Sequence, residues 1–287
     1  MRKKFIYIIL GIILIITGCG NSIKNSEPEE KLPVVSENDN KYEKMSEEFN
    51  NGIEKILEEY NDEHISLYIK NLSNEMECTI SSEKMRAASL IKLYAAGSVY
   101  ENYDNVCDYL GSSKTVEELM EKMITVSDNE AFNDLTHALG QGNDSEGKNL
   151  VNTFCRRHGY YDTHMGRLLL KKNQKDDNYT SVTDCGKFLD DIYNNKLEGS
   201  DKILDYMKHQ ERVSKIPAGI PDDVEVANKT GELSDLENDV AIVFSEDHPY
   251  IICLMSDEVS DTEKTRRAEA EISEKIYLYI SGEKKDE

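Results

Sequence analysis

Positive charge is the first thing that this sequence lacks. Its 287 residues carry 34 Lys and Arg against 56 Asp and Glu, which gives a formal net charge of −22. Recognition of a phosphate backbone needs clustered Lys and Arg, so this balance excludes nucleic acid as a partner. The excess of acid is typical of a solvated surface that keeps a protein in solution. The length allows one large domain or two small ones, with a real hydrophobic core.

Metal-ligand spacing is also missing. No two of the six cysteines have the C-x-x-C spacing of a zinc or redox site, and the six histidines are scattered. The sequence therefore predicts neither a metal nor another cofactor. For the cysteines after Cys19, two interpretations stay open: a disulfide between Cys155 and Cys185 in an exported protein, or five buried thiols. These cysteines are Cys78, Cys107, Cys155, Cys185 and Cys253.

The N-terminus lacks an apolar run of membrane-spanning length. The run Phe5–Ile16 has twelve residues and follows Arg2-Lys3-Lys4, which suits the core of a signal peptide. It ends in Ile16-Thr17-Gly18-Cys19, which resembles the bacterial lipobox, in which the cysteine is lipidated and becomes the new N-terminus. We therefore predict a signal peptide over residues 1–18 and a lipid anchor at Cys19, on the outer face of the bacterial cytoplasmic membrane. A plain secretory signal or an uncleaved anchor is the alternative.

The chain after the signal peptide divides into a tether, one domain and a tail. Residues 19–42 are polar without periodicity, which predicts a flexible tether, and residues 283–287 form a polar tail. Residues 43–282 show the pattern of a helix, two strands, a helical block, three strands and a final helix. This order predicts an α/β fold: an antiparallel five-stranded sheet flanked by helices, with an inserted all-helical lobe.

Apolar periodicity sets the predicted bounds of these elements. The predicted helices are Tyr42–Tyr60, Ser89–Glu101, Val116–Ile124, Asn129–Leu139, Glu146–Arg157, Val182–Asn194, Asp201–Gln210 and Thr262–Ile280. The predicted strands are His64–Lys70, Glu75–Ile80, Val224–Lys229, Asp239–Ser245 and Tyr250–Ser256.

Three short motifs carry chemistry. They are Ser89-Leu-Ile-Lys92, Ser127-Asp128-Asn129 and Lys229-Thr230-Gly231. The S-x-x-K pattern alone often occurs by chance, and a second copy begins at Ser81 in a polar turn. Ser89 instead opens an apolar helix, and Lys92 lies one turn later on the same face. If Ser89 were only a helix cap, Lys92 would be a solvated lysine.

The residue types of these motifs favour a nucleophilic serine. Serine is a weak nucleophile until a nearby base takes its proton. A lysine can be that base only when burial or another cation lowers its pKa. Lys229 would supply the neighbouring positive charge. The motifs therefore predict Ser89 as the nucleophile and Lys92 as its base.

This set of motifs, in this order, resembles the signature of class A β-lactamases and penicillin-binding proteins. The stretches Met123–Asn133 and Arg212–Gly231 resemble the same family, and the likeness covers residues 45–282. The resemblance implies a β-lactamase/transpeptidase-like fold, a β-lactam or D-Ala-D-Ala-like small substrate, and a monomer. It implies that Ser127 passes a proton to the departing nitrogen and that Asn129 binds the base lysine and the substrate amide.

The resemblance also implies a substrate-binding edge after the third motif. Lys229 and Thr230 would hold the substrate carboxylate. Gly231 would let the substrate lie along the strand edge without a side chain in the way. The backbone N–H groups of Ser89 and Glu232 would form the oxyanion hole.

The spacing of the first two motifs departs from the family. Ser89 and Ser127 lie 38 residues apart, about twenty fewer than in the usual class A enzyme. The missing piece normally helps to wall one side of the substrate cleft. The shorter spacing therefore predicts a more open site, which affects substrate preference more than the acylation chemistry.

The loop before the helix at Val182 departs more seriously. In the family it carries W-E-P-x-x-N, whose glutamate activates the deacylating water. Here the matching stretch is Arg167-Leu-Leu-Leu-Lys-Lys-Asn173, so Asn173 keeps the asparagine while Leu169 falls where the glutamate should be. Three acids could substitute only if the loop folds differently: Asp162, Asp176 and Asp177.

The sequence leaves several functional hypotheses. The first is an exported, lipid-anchored hydrolase that forms an acyl-serine with β-lactams and hydrolyses the β-lactam amide, with slow deacylation. The second is a peptidase acting on D-Ala-D-Ala ends of cell-wall peptides. The third is a penicillin-binding module that stays acylated as a sensor or sink. The missing glutamate favours the second and third, whereas the motif context favours the first. A non-catalytic surface protein would require the triple motif to be an accident.

Overall fold

The computed structural model describes residues 37–60, 64–171 and 175–282. Its helices are α1 (Glu37–Glu58), α2 (Ile91–Glu101), α3 (Tyr103–Leu110), α4 (Ser113–Thr125), α5 (Asn129–Leu139), α6 (Asp144–His158), α7 (Val182–Tyr193), α8 (Ser200–Lys208) and α9 (Thr262–Ser281). Its strands are β1 (Ser66–Asn71), β2 (Glu77–Ile80), β3 (Met85–Arg86), β4 (Tyr179–Thr180), β5 (Val226–Leu233), β6 (Leu236–Val243) and β7 (Tyr250–Asp257). Short 3₁₀ turns cover Ala88–Leu90 and Ile216–Gly219.

Five of the strands form one antiparallel sheet in the order β2-β1-β7-β6-β5. The strands β6 and β7 are buried along almost their whole length because helices cover both faces of the sheet. The strand β5 lies at one edge, and its pairing with β6 sets Lys229 opposite Val240 and Thr230 opposite Asp239. The helices α2 to α8 lie between β3 and β5 in the chain. The predicted α/β fold, with its five-stranded antiparallel sheet and inserted helical lobe, is therefore confirmed.

The sheet separates two hydrophobic cores. The larger core joins one sheet face to the helical lobe and surrounds α2, of which every residue from 91 to 100 is buried. Apart from Lys92 and Ser98 these buried residues are mostly apolar, as expected for a helix in such a central position. The smaller core fills the other face beneath α1 and α9, with Ile53 and Ile272 fully buried. The nucleophile motif lies at the start of α2, where the larger core meets the edge of the sheet.

Three elements were not predicted from the sequence. The helix α3 buries only Val106 and ends at Gly111, whose φ of +73° suits glycine. The strands β3 and β4 have two residues each, which is too short for a periodic signal. They pair with each other, and this pairing joins the chain before Ser89 to the chain before α7.

The predicted tether is wrong at its C-terminal end. The helix α1 begins at Glu37 instead of Tyr42, so residues 37–42 are helical. This stretch contains neither proline nor glycine, and nothing in it stops the helix from extending toward the N-terminus. Cys19, the rest of the tether and the tail 283–287 lie outside the described residues. Within the described ranges, none of the helices combines the length and the apolarity that crossing a bilayer requires.

The disulfide suggested for Cys155 and Cys185 is wrong, and both are free thiols. Cys155 belongs to α6 and Cys185 to α7. The sulfur of Cys185 instead accepts a hydrogen bond from the hydroxyl group of Tyr94 at 3.5 Å and shares another with Thr180 Oγ1 at 3.7 Å. Cys78 and Cys253 are also buried free thiols, and Cys107 is a partly buried one. The alternative of free thiols therefore holds, with one of the five less buried than expected.

Candidate active site

Ser89 lies in the tight turn that leads into α2. The preceding residue, Ala88, has a φ of +45°, a left-handed conformation that costs about 1–3 kcal/mol for a residue with a side chain. The turn is held from both sides: Ala87 N donates to Asn178 O at 2.8 Å, and Asn238 Nδ2 donates to Arg86 O at 3.1 Å. These contacts hold the strained turn in place and leave the serine partly exposed at the end of a buried helix.

Lys92 is fully buried one turn after Ser89. Its Nζ lies 3.0 Å from Ser89 Oγ, 2.6 Å from Ser127 O, 3.0 Å from Ser127 Oγ and 2.8 Å from Asn129 Oδ1. A neutral amine has two N–H donors and one lone pair. The backbone oxygen of Ser127 and the amide oxygen of Asn129 can only accept, so they match the two donors. The lone pair then remains for a serine hydroxyl proton.

The charge around Lys92 favours this neutral form. Burial, followed by the positive charge of Arg212, lowers the pKa of Lys92 to about 7, against a smaller opposing effect of Asp128. Burial is the larger cause because the ammonium ion loses its hydration. Near neutral pH, a substantial share of the molecules therefore has a base beside Ser89.

The second motif forms the turn before α5. Ser127 has a φ of +58° and is buried. Asp128 caps the helix, because its carboxylate accepts from Ala131 N at 2.7 Å. Asn129 is the first residue of the helix and faces Lys92. The cap therefore fixes the direction of the chain so that both flanking residues reach the lysine.

The third motif reaches the same point from the edge of the sheet. Lys229 is fully buried, and its Nζ donates to Ser127 Oγ and to Thr230 O, each at 2.9 Å. Burial, then the charges of Lys92 and Arg212, hold the pKa of Lys229 well below its usual value. The Ser127 hydroxyl thus lies between two lysine nitrogens, which is a geometry that can pass a proton.

Gly231 has a packing role at the nucleophile turn. A Cβ at this position would lie 2.8 Å from Ala87 O and 3.3 Å from Leu90 Cγ. The glycine therefore allows β5 to pack directly against the nucleophile turn. The next residue, Glu232, is half-buried, and its carboxylate accepts from Arg212 Nη1 at 2.6 Å.

Arg212 is the residue of this site that the sequence analysis left without a role. It affects the pKa of both site lysines, and its backbone oxygen accepts from Asn228 Nδ2 at 3.1 Å. The stretch that contains it was noticed only as part of the family resemblance. An isolated arginine carries no sequence signal that it faces a site, because the contact arises between distant segments.

The 163–178 loop is tied to α5 next to this site. Asn133 Nδ2 donates to Leu169 O at 2.9 Å, and Leu169 N donates to Asn133 Oδ1 at 3.0 Å. Asn133 follows Asn129 by four residues, so the two side chains lie on the same face of the helix. Leu169 is 7% exposed, whereas Leu170 is 64% exposed with a φ of +60°. The loop thus presents an apolar side chain beside the site.

No carboxylate of the described loop residues stands in for the missing glutamate. Asp177 pairs with Arg167 at 2.6 Å and Asp176 with His164 at 2.7 Å, so both are engaged within the loop. Asp162 precedes the loop, and its backbone N–H is tied to α7 at 2.8 Å. Asn173, predicted to keep the family's asparagine, lies outside the described residues. In the part of the chain that is described, no group of His, Cys, Asp and Glu side chains could hold a metal ion.

The antiparallel sheet, the inserted helical lobe and the nucleophile turn between them define a fold of the β-lactamase/transpeptidase class. The chain belongs to the β-lactamase enzyme family, whose model matches residues 107–280. This match starts after the Ser89 motif, so the support for the first motif is the geometry of Ser89 and Lys92 described above. A comparison with curated proteins gave no match.

Solved structures carry the likeness across the whole domain. PBP-A is 21% identical with a TM-score of 0.69, over 81% of this chain and 96% of that one. A leucine-to-glutamate mutant of PBP-A, described as an acyl-enzyme complex with penicillin G, is 20% identical with a TM-score of 0.70. The match covers 81% of this chain and 97% of that one. A variant of the class A β-lactamase of the last common ancestor of Gram-negative bacteria is 20% identical with a TM-score of 0.68. That match covers 81% of this chain and 99% of the other. At these identities the likeness concerns the fold.

Proposed function

We propose that the protein is a serine hydrolase that forms an acyl-serine with β-lactams through Ser89 and hydrolyses the β-lactam amide, with slow deacylation. The observation that carries the proposal is the fully buried Lys92, 3.0 Å from Ser89 Oγ, whose two acceptor-only contacts leave its lone pair for the serine proton.

The proposed acylation proceeds through the two serines. Neutral Lys92 takes the Ser89 hydroxyl proton as Oγ attacks the carbonyl carbon, and the backbone N–H groups of Ser89 and Glu232 stabilise the oxyanion. The C–N bond then breaks. The departing nitrogen takes the Ser127 hydroxyl proton, which the Lys92 ammonium replaces across 3.0 Å. Protons balance, and the base ends neutral.

The proposed substrate carries a carboxylate, as β-lactams and D-Ala-D-Ala peptides do. Lys229 and Thr230 would hold this carboxylate beside the strand edge, and Asn129 would bind the substrate amide in addition to Lys92. The lowered pKa of Lys229 fits this role, because an arriving anion would restore the ammonium form.

A second candidate function is favoured by Leu169. A penicillin-binding module that retains its acyl group, or a peptidase specific for D-Ala-D-Ala ends, shares the acylation step but does not need rapid attack of water on a penicilloyl ester. An apolar, buried side chain at the expected position of the base slows that attack. The PBP-A mutant offers a parallel, because it pairs a leucine-to-glutamate change with a penicillin G acyl-enzyme.

The proposed location is the outer face of the bacterial cytoplasmic membrane, with the monomeric domain anchored through lipid on Cys19. The support is the lipobox-like sequence Ile16–Cys19, followed by a polar stretch long enough to separate an anchor from the domain. There the enzyme would meet β-lactams before they reach their targets, or cell-wall peptides.

Intact-mass spectrometry of the exported domain after addition of penicillin G tests the proposal. We expect a covalent adduct that forms on the wild type and persists, no adduct on Ser89→Ala, and a normal adduct on Ser81→Ala, whose serine belongs to the decoy motif. An adduct that survives Ser89→Ala would contradict the assignment of the nucleophile. Release of D-Ala from a D-Ala-D-Ala peptide by the same preparations separates the peptidase from the acyl-retaining module.

A further inference from the structure

One segment, residues 210–216, joins the two sides of the candidate site. At its start, Glu211 N donates to Thr125 O at 3.1 Å, two residues before Ser127. Arg212 follows directly. The segment is exposed from Glu211 to Ser214 and then leads into the 3₁₀ turn that packs against α9. Its attachment therefore determines where the arginine stands between the second and third motifs.

The carboxylate of Asp239 holds the other end of this segment. Asp239 is fully buried in β6. Its Oδ2 accepts from Ile216 N at 3.0 Å, and its Oδ1 accepts from Asn228 Nδ2 at 3.0 Å. The same amide nitrogen donates its other hydrogen to Arg212 O at 3.1 Å. One carboxylate thus holds the segment directly at Ile216 and, through Asn228, at the backbone oxygen of Arg212.

The side chain of Arg212 depends on this placement. Its Nη1 donates to Glu232 Oε2 at 2.6 Å, and its positive charge lowers the pKa of both Lys92 and Lys229. Both lysines are buried whereas Arg212 is exposed, and the effect of its charge on them weakens as the guanidinium moves away. Moving the backbone of the arginine would weaken it at both lysines.

We propose that Asp239 is a positioning residue that sets the place of the Arg212 guanidinium relative to Lys92 and Lys229. The inference rests on the proposed function of that site, because it assigns the carboxylate a part in acylation through the arginine and not through contact with the substrate.

A carboxylate is required at this position because two N–H donors converge on it. An asparagine would keep one acceptor but would turn its own N–H₂ toward one of the donors. Burial raises the pKa of Asp239 to about 6, against the effects of Lys215, Asn228 and Ile216 N–H. Four titratable groups interact with it electrostatically, namely Lys215, Lys229, Glu269 and Cys253, and Glu237 pairs with the same Lys215. At about pH 8 the carboxylate is therefore ionised.

A double-mutant cycle tests the proposal. Acylation rates with a fluorescent penicillin are measured at about pH 8 for the wild type, Asp239→Asn, Arg212→Ala and the double variant. We expect each single change to slow acylation about tenfold, since a hydrogen bond to a charged group is lost or the charge itself is removed. In the Arg212→Ala background, Asp239→Asn should slow acylation further by about twofold at most. A full tenfold loss in that background would overturn the proposal.

A second readout needs no substrate, so it separates this inference from the proposed function. The pKa of Lys92 is followed by NMR of lysine labelled with ¹³C at Cε, in the same four proteins. Asp239→Asn should raise the pKa of Lys92 in the wild-type background, because Arg212 moves away. It should leave the pKa of Lys92 unchanged when residue 212 is already alanine. A shift of equal size in both backgrounds would mean that the carboxylate acts without the arginine. A wild type that is never acylated would refute only the proposed function.

Ser256→Ala is the matched control for loss of a buried polar group in the same sheet. Its hydroxyl donates to Glu237 O at 2.7 Å and touches neither the 210–216 segment nor the site. The acylation rate of Ser256→Ala should stay within about twofold of the wild type. If Ser256→Ala slowed acylation as much as Asp239→Asn does, the effect would come from destabilising the sheet in general. If Asp239→Asn does not fold, Asn228→Ser carries the same cycle, because it frees Arg212 O while Asp239 keeps Ile216.

Discussion

Lys92 shows how a single residue can be made reactive by where it is buried. Its ammonium form is disfavoured by loss of hydration, whereas its neutral form fits the hydrogen-bond acceptors around it. The free-energy cost of burying the lysine is part of the proposed activity, because a solvated lysine would stay protonated near neutral pH and could not act as a base.

This burial predicts the pH dependence of acylation. The base is the neutral form, so the rate should rise with pH through a midpoint near the Lys92 pKa of about 7. Arg212→Ala removes a cation that lowers this pKa, and the midpoint should therefore move to higher pH. Rates of labelling by a fluorescent penicillin between about pH 5 and pH 9 provide the measurement. Arg267→Ala, which removes an exposed arginine paired with Glu263, should leave the midpoint in place.

Gly231 predicts a second effect at the scale of one residue. In Gly231→Ala the new Cβ would meet Ala87 O at 2.8 Å, so the nucleophile turn or β5 must shift. We expect acylation to fall about tenfold or more, because a small misplacement of reacting groups is costly. Gly140→Ala is the comparison, since its Cβ would meet Asn143 O at 2.1 Å in a turn beyond α5. Gly140→Ala should lower the melting temperature while the folded fraction acylates at the wild-type rate. If Gly231→Ala also acylated at the wild-type rate, the packing role of Gly231 would be contradicted.

Helices, strands and loops bring these residues together from three directions. The 3₁₀ turn before α2 supplies the nucleophile and α2 its base, the turn before α5 supplies Ser127, and β5 supplies Lys229. The helices α2 and α5 begin at the site, and β5 passes it with the middle of the strand. A change in any one element is therefore expected to affect acylation, whereas the loop that carries Leu169 should affect deacylation.

The loop predicts a gain of function in the second step. Leu169→Glu should shorten the lifetime of the acyl-serine, because a positioned general base typically speeds attack of water by about 10²–10⁴-fold. The double hydrogen bond to Asn133 fixes the backbone at this position, so the new carboxylate points where the leucine does. Loss of the adduct over time in intact-mass spectra provides the measurement.

Leu170→Glu is the matched control for this change, because Leu170 is exposed on the same loop. It adds the same charge without facing the site, so the lifetime of the adduct should stay unchanged. If both variants behave alike, the loop is not placed as described. If the wild type itself turns over penicillins quickly, another group supplies the base.

At the scale of the whole molecule, the surface charge bears on the proposed anchor. A chain with a formal charge of −22 is repelled by the anionic lipids of a membrane. Cys19→Ala should therefore move the protein out of the membrane fraction or leave an unprocessed precursor, as seen by immunoblotting of cell fractions. Labelled fatty acid should appear on the wild type and not on the variant. A membrane-bound Cys19→Ala protein of mature size would contradict the lipid anchor.

Much of the fold followed from local patterns. The helix α5 was predicted with its exact bounds because an aspartate cap precedes a clear amphipathic pattern. The strands β5 and β6 were predicted two to four residues away from their observed ends. The stretch from Thr230 to Asn238 is polar apart from Gly231, Leu233 and Leu236, and it lacks the apolar alternation that marks a strand. The short pair β3 and β4 left no pattern, because two residues cannot show a period.

The sequence by itself determined the class of fold, the three motifs and the absence of a glutamate from the 163–178 loop, because these depend on residue types and their spacing. Only the tertiary structure decided that Lys92 is buried among oxygen atoms, that Gly231 packs against Ala87, and that the charge of Arg212 acts on Lys92. Burial and charge act through space between segments far apart in the chain. For that reason, they appear only when the chain has folded.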